Sequence, residues 1–421
     1  RDESGACARP KLAAVVFPQY HRDATNDALW GEGFTDWTTL NRSSDTALPR
    51  PAGALGYYDL TAEGVLAAHA EVARQNGVSA FFHYHYYFGD GRRVLETPVE
   101  RMLATGEPRF PFALVWAIES WTQRWHGLGR EDTADDKALD FPTQHVTRDT
   151  MRAHLAWLER AWADERYVRI DGRPLFVLHT GGARSAGFAF VPTILAALRE
   201  SPANPYVGVA IRDGRLRKAP NRYRRFSTAK PPGATLDIDG HDFLVLWEPR
   251  TRPAMSETMR DMVDAAVCDA VAAHGFNRTA GEPAGLAGDA TATRDLLASS
   301  QAAAENRNGG VDWELSAFAG FDNIGRHRDT PHLAARIHVN SGASEREPTT
   351  RATEFGRMLA TLGGLAGGAR TGDRCASFIA INAWNEWGEG NVLEENSENG
   401  RAMLETCAAY ARGELDADAA L

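Results

Sequence analysis

The 421-residue sequence has no hydrophobic run long enough to cross a bilayer and only four cysteines. Since a membrane-spanning helix needs about 20 consecutive apolar residues, we expect no membrane span. Cys7, Cys268, Cys375 and Cys407 fit no metal-binding spacing, and no H-x-x-x-H pattern occurs, so we expect no metal site. Cys375 and Cys407 flank the last predicted strand and helix and are one candidate disulfide pair, with buried free thiols as the alternative.

Positive charge is also scarce, because 46 Lys and Arg stand against 56 Asp and Glu, for a formal net charge of -10. A nucleic-acid partner requires a basic face, so we expect none. No Gly-rich phosphate loop is present, and we expect no cofactor. The chain begins with Arg1 and has no basic-plus-apolar leader. We expect an extracellular or cell-surface protein in its mature form, with a shortened chain as the alternative.

Strand-like and helix-like segments alternate along the chain, which is typical of a parallel α/β fold. The predicted strands are residues 11–20, 78–88, 110–119, 175–180, 206–211, 242–247, 313–321 and 376–382. The predicted helices are residues 61–76, 95–103, 148–166, 192–200, 255–274, 294–306, 351–365 and 402–411. Eight strand–helix pairs predict a single (β/α)8 TIM barrel over residues 1–421, with extended βα loops at 42–56, 123–144, 213–240 and 325–348. We expect a monomer.

The most informative segment follows the eighth predicted strand. Glu386 and Glu389 stand three residues apart among Trp384, Asn385 and Trp387. An environment of low polarity raises the pKa of a carboxyl group, so one acid can hold a proton while its neighbour stays ionised. Paired carboxylates among tryptophans suit acid–base chemistry on a sugar. We expect Glu386 and Glu389 to be catalytic, with solvated surface acids as the alternative.

Aromatic and acidic residues also follow the other predicted strands. In a TIM barrel the site lies at the carboxyl ends of the strands, so we expect these residues to form one saccharide cleft. The substrate-binding candidates are Tyr20, His21, Tyr84, His85, Trp116, Glu119, Trp121, Trp125, Asp322, Asn323, Asn385 and Trp387. Side chains alternate along a strand, so one of the neighbouring pair Tyr84 and His85 should face the helices.

Several spaced motifs resemble one known family. They are Pro18-Gln-Tyr-His21, Asn26-Asp27, Trp30-Gly-Glu-Gly-Phe-Thr-Asp-Trp37, Gly56-Tyr-Tyr-Asp-Leu60, Phe82-His-Tyr-His-Tyr86, Trp116-Ala-Ile-Glu-Ser-Trp121 with Arg124-Trp125, Asp171-Gly-Arg-Pro-Leu-Phe176, Phe321-Asp-Asn323 and Asn382-Ala-Trp-Asn-Glu-Trp-Gly-Glu-Gly390. In this order they resemble the WbsX-like proteins, relatives of glycoside hydrolase family 99. The resemblance extends from about residue 12 to residue 404.

The resemblance implies a (β/α)8 endo-α-mannosidase or mannanase that retains anomeric configuration through a 1,2-anhydro sugar. It implies that Glu386 deprotonates the 2-hydroxyl of the substrate and that Glu389 protonates the leaving oxygen and then activates water. It also implies that Glu119 binds the reacting sugar.

The sequence departs from the family pattern near the third and eighth strands. Ile118 and Ser120 replace the two amides of the usual W-A-N-E-N-W motif. Gly390 and Glu394 match the usual G-T-Q-I-E pattern, whereas Asn391 and Val392 do not. The departures leave the sugar open, with rhamnose, galactose or arabinose units as alternatives to mannose.

The motif of two acids alone is compatible with participation of the substrate 2-hydroxyl, with direct attack by a carboxylate and with inversion. The expected function is an endo-acting retaining α-glycosidase that cleaves a bacterial or fungal polysaccharide. A glycosyltransferase of polysaccharide assembly is the second hypothesis, although Asp237-Ile-Asp239 is only a lone D-x-D match. A carbohydrate-binding barrel without catalysis is the third.

Overall fold

The computed structural model describes residues 8–42, 48–121, 145–180, 190–211, 225–227, 235–237, 243–246, 312–319, 321–322, 336–337, 351–368 and 377–415. These residues form a mixed α/β fold around a ten-stranded sheet, in which eight strands run parallel. The predicted helices at 255–274 and 294–306 lie outside the described residues.

The parallel strands are β1 (Lys11–Val16), β2 (Val78–Tyr87), β4 (Phe112–Ala117), β6 (Arg173–His179), β7 (Tyr206–Ile211), β10 (Phe243–Leu246), β11 (Asp312–Phe318) and β14 (Phe378–Asn382). The short strands are β3 (Arg93–Val94), β5 (Arg169–Ile170), β8 (Arg225–Ser227), β9 (Thr235–Asp237), β12 (Phe321–Asp322), β13 (Arg336–Ile337), β15 (Asn385–Glu386) and β16 (Asn391–Val392). All eight predicted strands are therefore confirmed, although most are shorter than predicted.

The helices are α1 (Ala24–Trp30), α2 (Asp36–Arg42), α3 (Val65–Gln75), α4 (Thr97–Thr105), α5 (Arg148–Trp162), α6 (Val191–Glu200), α7 (Arg351–Gly368) and α8 (Ala402–Arg412). The sequence prediction missed α1 and α2. Each has only seven residues, too few to show the repeated apolar spacing by which an amphipathic helix is recognised.

The strand order places the last parallel strand, β14, beside the first, β1. The parallel strands pair in the order β1-β14-β11-β10-β7-β6-β4-β2, and β1 also pairs with β2. Residues 14 and 15 of β1 are in register with Phe81 and Phe82 of β2, and residue 14 is in register with Ile381 of β14. The carboxyl ends of β1, β2 and β14 therefore lie next to one another.

Alternate residues of the strands enter two different packing environments. On one face of β2, Phe82 packs on Phe378 and Tyr84 packs on Phe17. On the other face, Phe81 packs on Trp384 in a cluster that includes buried residues of α3, α7 and α8. This alternation decides which strand-end side chains can share a site.

Cys407 of α8 is a buried free thiol, and burial raises its pKa. Cys375, the other member of the candidate disulfide, lies outside the described residues, and the alternative of a buried free thiol holds for Cys407. The thiol packs among apolar side chains between α8 and the sheet.

Gly77 joins α3 to β2 at a point where a side chain has no room. Its φ is +75°, and a Cβ there would lie 2.4 Å from Cβ of Ala411. Gly64, at the start of α3, has φ +80° but open space around the same position. We expect Gly77→Ala to lower the free energy of unfolding by about 1–3 kcal/mol more than Gly64→Ala, because both strain the backbone but only the first overpacks. Denaturant unfolding measures the difference, and equal losses would contradict it.

No helix in the part of the chain that the structure describes is long and apolar enough to span a membrane.

Candidate active site

Glu386 and Glu389 lie on one tight hairpin that directly follows β14. Strands β15 and β16 pair in antiparallel fashion, with Glu386 opposite Asn391. A 3-10 turn, Trp387–Glu389, connects them and ends at Gly390, whose φ of 58° is in the left-handed region. Glu386 immediately precedes this turn, and Glu389 is its last residue. The side chains of both acids are buried.

Tyr20 and Asp36 hold the backbone of this acid-bearing turn. The Trp387 N–H donates to the Tyr20 hydroxyl at 3.0 Å, and the Gly388 N–H donates to Asp36 Oδ2 at 3.2 Å. The Tyr20 hydroxyl in turn donates to Asp36 Oδ2 at 3.0 Å. Burial, followed by the nearby charge of Asp36, raises the pKa of Tyr20 well above its usual value, so the hydroxyl keeps its proton as a donor.

Asn385 connects the turn to the carboxyl end of β1. Its Oδ1 accepts from the Phe17 N–H at 2.7 Å, and its Nδ2 donates to the Phe17 carbonyl at 3.0 Å. Nδ2 also lies 3.2 Å from the Tyr58 hydroxyl. The side-chain amide thus both accepts from and donates to the Phe17 backbone, and the residue is fully buried.

The indole of Trp387 forms a third attachment. Its Nε1–H donates to Glu394 Oε2 at 3.1 Å, and the Tyr58 hydroxyl donates to the same oxygen at 2.6 Å. The ring packs against Trp37, with centroids 5.8 Å apart. Tyr20, Asn385 and Trp387 were predicted to contact the sugar. In the structure they are buried and their polar atoms bond to the protein itself, and their contact with a sugar stays a prediction.

Tyr84 and His85 separate onto the two faces of β2. The Tyr84 ring packs edge-on against Phe17 and His179, with ring centroids 6.4 Å and 5.6 Å apart. His85 contacts α5 instead, where its Nε2 lies 2.8 Å from His154 Nε2. Burial lowers the pKa of His85 to about 3. The prediction that His85 binds substrate therefore differs from the structure, in which His85 is a neutral packing residue facing a helix.

The tryptophans around the end of β4 divide in the same way. Trp116 donates from its indole to the Tyr87 carbonyl at 3.1 Å and packs edge-on against His154. Trp116 thus faces α5, which differs from the predicted role in substrate binding. Trp121 packs on Tyr86, on the face of β2 that Tyr84 also occupies. Glu119 follows β4 and is partly buried.

The remaining predicted substrate-binding residues are His21, Asp322, Trp125 and Asn323. His21 is buried, with its Nδ1 at 2.9 Å from the Pro18 carbonyl, and burial lowers its pKa. Asp322 is the second residue of β12, opposite Arg336 of β13. Trp125 and Asn323 lie outside the described residues.

Asp36, Tyr58, His69 and Glu394 were not assigned a role from the sequence, although three of them lie within the family-like motifs. The available signal was position: Asp36 and Tyr58 lie in motifs that follow β1, and Glu394 matches the family pattern after the two acids. Motif matching identifies such residues but does not distinguish a ligand contact from a support of the backbone. Among the residues that can be described, no cluster of three or more metal-ligating side chains occurs.

Comparison with known proteins gives the family and the fold. A family model described as glycosyltransferase WbsX matches residues 12–201 and 299–407, more than half of the chain. The uncharacterized protein WxcX of Xanthomonas campestris pv. campestris is 34% identical over 172 residues, 40% of this chain. That match covers only 24% of WxcX, so the chain spans about a quarter of the length of this relative.

One solved glycoside hydrolase structure shares the fold at low identity. An endo-alpha-mannosidase of glycoside hydrolase family 99 from Bacteroides thetaiotaomicron aligns with a TM-score of 0.50 and 12% identity, over 96% of this chain and 97% of that chain. A structure titled glycoside hydrolase-like protein aligns with a TM-score of 0.49 and 12% identity, over 97% of this chain and 94% of that chain. These likenesses concern the fold alone. Since the family model covers most of the sequence, the chain belongs to the WbsX family.

Proposed function

We propose that this protein is an endo-acting, retaining α-glycosidase that cleaves a polysaccharide. The observation that carries the proposal is the braced turn that bears Glu386 and Glu389 at the end of β14. Two buried carboxyl groups on one hairpin are the machinery that glycoside hydrolysis needs, one as proton donor and one as base.

The proposed architecture is a closed (β/α)8 barrel in which the turn lies at the carboxyl ends of the strands. Two observations support it: the pairing order returns to β1 through β2, and an endo-alpha-mannosidase shares the fold. In this architecture Tyr84, Trp121 and Glu119 would line the cleft beside the acids. Trp121 would supply an apolar face to the sugar, while Glu119 would accept hydrogen bonds from its hydroxyl groups.

The proposed reaction has two steps in which the protons balance. In the first, Glu386 takes the proton of the substrate 2-hydroxyl, the freed oxygen attacks C1, and the bond to the leaving oxygen breaks as Glu389 protonates that oxygen. In the second, Glu389 takes a proton from water, the water oxygen attacks C1, and the 2-oxygen leaves C1 and recovers its proton from Glu386. Two displacements at C1 retain its configuration.

Transfer of a sugar from an activated donor is the second candidate, favoured by the description of the family model. Such an enzyme binds a nucleotide-linked or lipid-linked donor. Asp237, the last residue of β9, begins the D-x-D match, but Asp239 lies outside the described residues.

The test of the proposed function is a product screen on α-linked glycans, including α-1,2-branched mannans and other bacterial and fungal polysaccharides. We expect the wild-type protein to release oligosaccharides from at least one of them. Calorimetry with nucleotide sugars is run in parallel. Release of no product, together with binding of a nucleotide sugar, would contradict hydrolysis and support transfer.

A further inference from the structure

Glu394 lies in a buried polar network that includes Trp387 of the acid-bearing turn. Its Oε2 accepts from the Tyr58 hydroxyl at 2.6 Å and from Trp387 Nε1–H at 3.1 Å. Its Oε1 lies 3.2 Å from His69 Nε2 of α3. Glu394 forms no ion pair with lysine or arginine among the residues that the structure describes.

The contact between Glu394 and His69 does not have the geometry of an ion pair. Charge-assisted N–H···O bonds are about 2.7–2.9 Å long and well aligned. Here the distance is 3.2 Å, and His69 Nε2 forms no hydrogen bond. His69 is buried beside His83 of β2, and burial lowers its pKa to about 3. A positive imidazolium is therefore not available to balance a carboxylate.

The hydrogen bonds around Glu394 fit an uncharged carboxyl group. The two donors occupy Oε2, which leaves Oε1 to carry a proton. Burial raises the pKa of Glu394 to about 8, while the bonds from Tyr58 and Trp387 oppose the rise. An ionised carboxylate here would be buried without a counter-ion, which is costly.

We propose that Glu394 is a positioning residue that holds Trp387, and with it the acid-bearing turn, as a neutral carboxylic acid. The protonation state of Glu394 does not depend on the proposed function, whereas the predicted effect on turnover rests on it. Glu394 contacts the turn through the Trp387 indole and lies beside His69 of α3, whereas Tyr20 and Asp36 bond the backbone of the turn.

Glu394→Gln tests the protonation state, because an amide mimics a neutral acid and cannot ionise. The pKa of Glu394 is higher in the folded state than in the unfolded state, so the bound proton stabilises the folded state fully when the pH is below the unfolded-state pKa. This stabilisation is lost as the pH rises towards about 8. We therefore expect the melting temperature of the variant to rise relative to wild type between about pH 5 and pH 8, and the difference to level off above that range.

The exposed Glu405 of α8 supplies the matched control. Glu405→Gln should give a melting-temperature difference that does not change over the same pH range. For Glu394→Gln, a constant difference, a difference of the opposite sign, or a variant that fails to fold at about pH 5 would overturn the proposal.

In infrared difference spectra at neutral pH, wild type should show the band of a protonated carboxyl group that Glu394→Gln lacks, and a carboxylate band in its place would also overturn the proposal.

Turnover distinguishes the positioning role from the protonation state. Glu394→Gln should keep the wild-type kcat, whereas Glu394→Leu should lower kcat by up to about 10²-fold with little change in KM, because the turn loses its attachment at Trp387. Equal losses in both variants, or none in Glu394→Leu, would overturn the positioning role. If wild type cleaves no glycan, the proposed function fails, while the melting and infrared measurements still decide the state of Glu394.

Discussion

Glu389→Gln is expected to lower hydrolysis of the natural glycan about 10²–10⁴-fold, because glutamine cannot donate a proton to the leaving oxygen. Glutamine has nearly the same shape as glutamate, and the turn is held through its backbone at positions 387 and 388. The melting temperature of the variant should therefore remain close to that of wild type. Initial rates on the glycan identified by the product screen measure the effect.

The leaving group separates the roles of the two acids. Fluoride departs without protonation, so an α-glycosyl fluoride of the same sugar should restore much of the rate of Glu389→Gln. Glu386→Gln should stay slow on both substrates, because the 2-hydroxyl must be deprotonated whichever group leaves. If Glu389→Gln is equally impaired on the fluoride, or Glu386→Gln is rescued by it, the assignment of acid and base is wrong.

Asp36→Ala is expected to lower the free energy of unfolding by about 3 kcal/mol or more, because it removes the acceptor of two hydrogen bonds and each bond to a charged group contributes about 1.5–3 kcal/mol. The lost partners are the Tyr20 hydroxyl and the Gly388 N–H. Since Gly388 lies between the two acids, turnover should fall as well, by up to about 10²-fold. Denaturant unfolding and initial rates measure the two effects.

Two further variants serve as controls for Asp36→Ala. Asp36→Asn keeps an oxygen acceptor and should lose less stability and less activity than Asp36→Ala. Asp149→Ala removes a carboxylate whose side chain is 88% exposed and should change neither quantity measurably. Wild-type stability and rate in Asp36→Ala would show that the turn does not depend on this carboxylate.

The sequence predicted the parallel strands and the position of the two acids well, because both depend on local patterns. A short apolar run such as residues 378–382 identifies a buried strand, and Glu386 and Glu389 follow it directly. The strand predicted over residues 242–247 was confirmed as β10 within one residue at each end.

The roles of the aromatic and amide side chains could not be predicted in the same way. Tyr20 and Trp387 have the residue types of a sugar-binding cleft, yet each is buried and bonded to the protein. His85 and Trp116 face α5. Alternation along a strand predicts that neighbouring side chains face opposite ways, but it does not predict which of them faces inward. Those assignments depend on partners such as Asp36, which lies 352 residues from Gly388 in the sequence.

The most direct test of the account is the size and anomeric configuration of the first product that wild type releases from the cleaved glycan, with Glu389→Gln measured beside it. The account predicts that nuclear magnetic resonance of the fresh product detects an oligosaccharide with the α configuration, formed by wild type and not by the variant. A product that first forms in the β configuration would contradict retention. Equal release by Glu389→Gln would contradict the claim that the acid-bearing turn is the active site.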